Sequence, residues 1–170
     1  MSATQPPSHA ASCRELVVRS RWAILSTIAR EPVGYPFGSL VAVAADAQGS
    51  PILLLSKLAE HRQNLDARSE ASLLFTEAID AGDDPLAHGR ATLLGPCRRV
   101  DDAEVSSSRG LFLAAHPSAS TYVDFTDFAF YRLAIEAIRF VGGFGRMSWV
   151  DPDAYRALTP PARQEPSGGR

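Results

Sequence analysis

Apolar and polar positions alternate along most of this chain in short bursts separated by turn residues. Trp22–Ala29, Phe37–Ala45 and Pro51–Ser56 each predict a strand. Glu31 to Pro36 breaks the first from the second. Asp46-Ala47-Gln48-Gly49 joins the second to the third so closely that an antiparallel hairpin is the natural connection. At Leu58–Ala67 the period changes, with Leu58 and Leu65 on one helical face. Strand spacing returns at Glu70–Thr76, followed by an acidic, glycine-containing loop over Ala78–Asp84 and a further strand over Arg90–Val100. Ser12-Cys13-Arg14-Glu15 has capping-box spacing and predicts a short helix to about Ser20. Asp101 to Glu104 repeats that spacing and opens a helix that stops at His116-Pro117. Asp127–Leu133 and Ala134–Val141 are the last predicted strands, ending in Gly142-Gly143-Phe144-Gly145.

Parallel βαβ winding needs a helix after nearly every strand, and most of these connections are too short for one. The pattern therefore predicts an α+β fold, an antiparallel β-barrel plugged by a few short helices. Its 170 residues suffice for one well-buried domain. We place that domain at residues 12–158. Residues 1–11, with Pro6-Pro7, and the Pro- and Gly-rich segment 159–170 are too polar to offset their ordering entropy and are expected to be disordered.

A formal charge of −2 gives no basic surplus for a nucleic-acid binder, and no apolar run approaches the length needed to span a bilayer. The first residues lack the charged and apolar regions of a secretory signal, and Cys13 and Cys97 are too few for a disulfide framework. The expectation is a cytoplasmic protein with reduced thiols, acting on a small molecule, with neither nucleic acid nor membrane as partner. No His-Glu-x-x-His, nucleophile elbow or phosphate-loop signature occurs, so no metal site is expected.

The segment Ile52–Leu65 is the most informative. A strand ends at Ser56 and a helix begins almost at once, which exposes backbone N–H groups suited to an anion. His61 and Arg62 both flank the buried edge of that helix, between Leu58 and Leu65. Ser56, His61 and Arg62 could clamp a dianion. On spacing alone they equally describe a capping serine, an arginine whose stem covers the core and a half-buried histidine.

Several motifs in a fixed order carry a resemblance: Gly34-Tyr35-Pro36-Phe37-Gly38-Ser39-Leu40, Leu58-Ala59-Glu60-His61 with Asn64-Leu65, and Ala71-Ser72-Leu73-Leu74. Asp84-Pro85-Leu86 with Arg90, His116-Pro117, Asp127-Phe128 and Gly142-Gly143-Phe144-Gly145-Arg146 continue it. From about Trp22 to Tyr155 the chain resembles the pyridoxamine 5′-phosphate oxidase-like, FMN-binding split-barrel proteins, and within them the HugZ/HutZ haem-utilisation branch. The resemblance implies a six-stranded antiparallel Greek-key split β-barrel with short flanking helices. It also implies a homodimer with FMN at the interface. Carried across, it places Ser39 beneath the flavin and Ser56, Lys57, His61, Arg62, Asn64 and Arg90 around its phosphate. On that basis the chain is expected to be an FMN-dependent oxidoreductase of unknown substrate.

Two departures bear on activity. No Arg-x-His substrate clamp follows Tyr155, which argues against pyridoxal-phosphate synthesis, and no histidine follows His116, where haem-utilisation relatives carry their axial ligand. The alternative of a haem-binding or haem-degrading protein would have to use His116 or His88. A cofactor-free regulatory binding module is the third reading.

Overall fold

In the computed structural model, which describes residues 7–158, the alternating segments form eight antiparallel strands. They are β1 (Trp22–Ile28), β2 (Pro36–Ala45), β3 (Pro51–Ser56), β4 (Glu70–Thr76), β5 (Gly89–Arg99), β6 (Phe128–Leu133), β7 (Ala137–Gly142) and β8 (Met147–Val150). The sheet order is β4-β1-β2-β3-β6-β5-β7-β8, and β4 also pairs with β5. That second pairing closes β1, β2, β3, β6, β5 and β4 into a six-stranded barrel, with β7 and β8 continuing from β5. Helices α1 (His9–Arg19), α2 (Glu60–Ala67), α3 (Val105–Ala115) and α4 (Pro152–Arg156) lie around it.

The pleat sorts the side chains into two faces. Ser39, Leu25, Leu73, Leu93, Ile138 and Val150 form one cross-strand row. All but Ser39 are buried in the barrel core. One position along, Leu40, Ile24, Leu74, Thr92, Arg139 and Trp149 form the outward row. A second apolar cluster lies outside the barrel, where α3 covers Ile52, Leu54 and Phe130 with Phe112.

Closure depends on one bend in β5. Its first part pairs with β7 through Leu94↔Ala137, and its last part pairs with β6 from Cys97↔Leu133. The switch falls at Gly95-Pro96, where Ala134 N–H donates to Pro96 O at 2.9 Å and Glu136 N–H donates to Leu94 O at 2.9 Å. These bonds hold residues 134–136 as a turn, so β7 starts at Ala137 instead of the expected Ala134.

Other boundaries differ too. α1 begins at His9, because Ser8 Oγ accepts the Ala11 N–H at 3.1 Å and so caps the helix ahead of the expected Ser12. Residues 9–11, expected to be disordered, are helical. The remaining expected disorder, at 1–6 and 159–170, lies outside the described residues. Asp101 makes no side-chain cap, and a 3₁₀ turn over Asp102–Glu104 precedes α3. β8 and α4 carry no expected counterpart.

Both cysteines are free and buried, and burial pushes their thiols up to about 12. Thiols so placed stay protonated and inert.

Candidate functional site

β2 and β3 pair only over Val43–Ala45 and Pro51–Leu53. Beyond that, Pro36–Ala42 keeps β1 as its neighbour and Leu54–Ser56 keeps β6. The barrel is split between them. α2 follows β3 directly, packs on β1 and touches both β2 and β5, so it covers the barrel end where the split opens.

The turn into α2 is fixed by Asp127. Ser56 Oγ donates to Asp127 Oδ2 at 2.7 Å and accepts the Leu58 N–H at 3.2 Å, while Lys57 N–H donates to Asp127 O at 2.7 Å. The helix itself starts at Glu60 behind Ala59, whose side chain cannot cap.

The residues expected to hold a flavin phosphate do not assemble as one clamp in this chain. Arg62 turns toward its own barrel: Nε donates to Tyr131 Oη at 3.1 Å, and Nη1 donates to Asp127 O at 2.6 Å and Leu55 O at 3.3 Å. Tyr131 in turn donates to Asp66, and burial with that bond pushes its phenol up to about 12. Asn64 is fully buried, with its amide donating to Thr27 Oγ1 at 3.1 Å and accepting the Arg30 N–H at 3.0 Å. Both residues pin α2 to the barrel. Arg90 pairs with Thr76, at the end of β4 remote from Glu70 and α2, roughly 20 Å along the strand at ~3.3 Å per residue. It reaches only the Leu86 and His88 carbonyls, each at 3.4 Å.

Ser39, Lys57 and His61 remain near the split. Ser39 is the polar end of the buried inward row on β2, and Lys57 is exposed. His61 sits one turn ahead of Asn64 and Leu65, on the helix face they bury. It is half-buried, and burial holds its imidazole below the ordinary value, which favours the neutral form at pH 7. No hydrogen-bond or ion-pair partner of His61 occurs among the described residues.

The other histidines are engaged. His9 Nδ1 meets Ser148 Oγ at 2.7 Å, His88 lies 3.1 Å from Asp83 Oδ2, and His116 Nε2 meets Val43 O at 2.9 Å. Of the two expected axial-ligand candidates, His116 uses only Nε2 and keeps Nδ1, while both nitrogens of His88 face carboxylates, Asp83 Oδ2 at 3.1 Å and Glu77 Oε2 at 3.9 Å. A carbonyl only accepts, so His116 Nε2 must be the protonated nitrogen. His88 closes the acidic loop after β4.

Large apolar side chains stand exposed around the split. Leu58 is 83% and Leu40 68% exposed, with Val33, Tyr35 and Phe125 also open. Sequence reasoning passed over Thr27, Arg30 and Tyr131. Only Tyr131, a phenol amid strand residues that are otherwise mostly apolar, gave any sign that α2 would need a polar partner in β6.

Comparison with known proteins shows the family and several relatives. A family model described as the CREG β-barrel matches residues 4–157. The chloroplastic haem oxygenase HOZ of Arabidopsis thaliana is 42% identical over 120 residues, which is 71% of this chain and 36% of that protein. The structure of a haem-binding protein from Mycobacterium smegmatis superposes with a TM-score of 0.82 at 34% identity, over 91% of this chain and 62% of that one. HutZ, a haem storage protein from Vibrio cholerae, shares the fold at a TM-score of 0.57 and 19% identity, over 72% of this chain and 87% of that one. The chain thus spans about a third of the length of HOZ and less than two thirds of the M. smegmatis protein. No helix among the described residues is long and apolar enough to cross a membrane.

Proposed function

Because the chain belongs to the CREG β-barrel family, we propose that it binds haem at the split between β2 and β3, as a homodimer. One observation carries the reading: the rim of the split is apolar, while Ser56, Arg62 and Asn64, three of the groups expected around a phosphate dianion, are spent inside the fold. Haem is a flat, largely apolar ring with carboxylates at one edge. Leu40, Leu58, Tyr35 and Phe125 suit the ring, and Lys57 suits a carboxylate. Bound haem would supply iron for dioxygen chemistry, and the protein's part is to hold and orient it. Relatives described as haem-binding and as a haem oxygenase lend support at 34% and 42% identity.

FMN is the second reading. It rests on Lys57 and on the β2 backbone at Gly38–Leu40, which has no β3 partner and is open to a flat ligand. Titration of the purified protein with hemin and, separately, with FMN, each followed by gel filtration, tests the two. Haem binding gives a retained Soret band and no retained flavin. Retained flavin bands without a Soret band overturn the haem reading in favour of FMN. A colourless protein in both arms leaves the cofactor-free module. Loss of the Soret band on adding reductant in air would extend haem binding to haem degradation.

The dimer reading rests on the outward row, where Leu40, Ile24 and Leu74 stand side by side and Trp149 lies further along, beyond Thr92 and Arg139. Trp149 is 66% exposed, and Trp22 and Met147 stand exposed on neighbouring rows of the same face. Apolar patches of this kind on a sheet mark interaction surfaces. Leu40→Asp combined with Trp149→Asp is expected to halve the mass found by light scattering. An unchanged dimer in that variant would remove this face from the interface. Free, buried cysteines fit a reducing compartment such as the cytoplasm.

A further inference from the structure

We infer that His88 is a pH-dependent latch on the loop between β4 and β5, tight when its imidazole is protonated and loose when it is neutral. The inference stands apart from the haem reading and does not depend on which cofactor the split holds.

The loop carries four carboxylates, Glu77, Asp80, Asp83 and Asp84. Like charges so close in sequence repel one another, so closing the loop calls for a cation among them. Its root is fixed at Glu77, whose N–H donates to Gly89 O at 2.9 Å and whose Oε2 accepts the Gly89 N–H at 2.7 Å. The His88 ring, 24% exposed, stands between that root and the outer arm of the loop. Its Nδ1 lies 3.9 Å from Glu77 Oε2, and its Nε2 lies 3.1 Å from Asp83 Oδ2.

Two carboxylates facing the two nitrogens of one ring respond to its protonation state. Imidazolium carries an N–H on both nitrogens and attracts both groups. The neutral ring carries one, and the other nitrogen then turns its lone pair toward a carboxylate oxygen. One attraction is exchanged for a repulsion. Histidine is the side chain that ordinarily changes charge between about pH 5 and 8. The attraction is therefore complete on the acid side of that interval and is lost as pH rises through it.

The charged groups on the elements around His88 do not replace it. Asp84 Oδ1 accepts the Leu86 N–H at 2.9 Å. Arg90 Nη1 donates to Leu86 O and His88 O, each at 3.4 Å. The turn after β7 packs on the loop at Ala87, whose carbonyl oxygen lies 2.7 Å from where a Gly143 Cβ would stand, and Arg146 is its one charged residue. Among the described residues, neither Arg90 nor Arg146 pairs with a carboxylate of the loop, whereas His88 faces two.

The latch also borders a cavity. Glu77 and Ala78 line a space of about 610 Å³ together with Leu16 and Arg19 of α1 and Trp22 of β1. That volume falls in the range of small-molecule sites. Loosening the loop beyond Ala78 frees one wall of it, so access to the cavity follows pH.

The test is hydrogen exchange read by mass spectrometry on peptides covering residues 77–89, in the parent, His88→Gln and Asp83→Asn, each checked for parental circular dichroism. Comparing proteins at one pH removes the intrinsic pH dependence of exchange. At about pH 5.5 the parent is expected to exchange about two- to fivefold more slowly than His88→Gln, and at about pH 8 equally fast. Asp83→Asn should likewise lose most of the acid-side protection. Acrylamide quenching of Trp22, read in a Trp149→Phe background, should rise over the same interval and stay flat once His88→Gln is added. Equal exchange in the parent and His88→Gln at acid pH overturns the inference. So does protection that persists undiminished at about pH 8, or a folded Asp83→Asn protein that keeps the parental profile. Quenching that stays flat in the His88 protein overturns the link to the cavity.

Discussion

Gly95→Ala is expected to lower stability by about 3 kcal/mol or more, a large part of the roughly 5–15 kcal/mol that holds a domain together. An added Cβ would overlap the Ala134 carbonyl oxygen and stand 3.2 Å from the Glu136 nitrogen. Neither backbone atom can retreat cheaply. Both residues donate to β5 on either side of Gly95, through Pro96 O and Leu94 O at 2.9 Å each. Relief would mean breaking a bond at the place where β5 leaves β7 for β6, which is where the barrel closes. Urea unfolding followed by circular dichroism measures the loss. Gly110→Ala is the control, since nothing lies within 4 Å of its Cβ position in α3. There the change should be neutral or stabilising by about 0.5–1 kcal/mol, because helical glycine costs backbone entropy. A Gly95→Ala midpoint equal to that of the parent would show that the 134–136 turn moves freely.

Arg14→Ala is expected to cost about 3–5 kcal/mol through lost packing and stranded carbonyls. The Arg14 side chain is 1% exposed. Its guanidinium donates to the carbonyls of Ala47, Gln48 and Tyr155 and lies 5.1 Å from the centre of the Tyr155 ring. Tyr155 Oη completes the arrangement by donating to Gly49 O at 2.9 Å. One cation thus joins α1, the β2–β3 turn and α4, three segments distant in sequence. Gly49 is at φ +78°, and a Cβ there would stand 2.6 Å from Arg14 Nη1, so the turn and the arginine are shaped to each other. Arg14→Lys separates charge from geometry. Lysine keeps the cation but lacks the planar fork, so most of the loss should persist. A lysine variant as stable as the parent would mean that charge alone is required.

Strand order along the chain was open to reading because most strands bury one face, which imposes the alternation visible at Trp22–Ile28, Pro36–Ala45 and Glu70–Thr76, while β3, buried on both faces, shows as a continuous apolar run. The short Asp46–Gly49 link dictated the β2–β3 hairpin for the same local reason. β8 escaped notice because it has only four residues, with Met147 and Trp149 exposed and Val150 its single core position, too few to show an alternation. The five-residue α4 is too short to show a period. At the start of α1, Ser8 and Ser12 are both credible caps. The packing of the helix against the barrel decides between them.

At the candidate site the sequence alone determined which residue types lie near the turn after β3 and which of them share the inner edge of a helix. It could not say what that edge faces. Arg62 and Asn64 have the same spacing whether they meet a ligand or the inside of their own barrel, since spacing records angle around the helix axis and nothing beyond it. Only the tertiary structure, by bringing Thr27 and Tyr131 against α2, spent those two residues internally, sent Arg90 to the far end of β4 and left His61 at the split without a partner. Polar groups removed from water must find partners wherever the chain happens to bring them. Those partners come from strands far away in sequence, where local pattern carries no record of them.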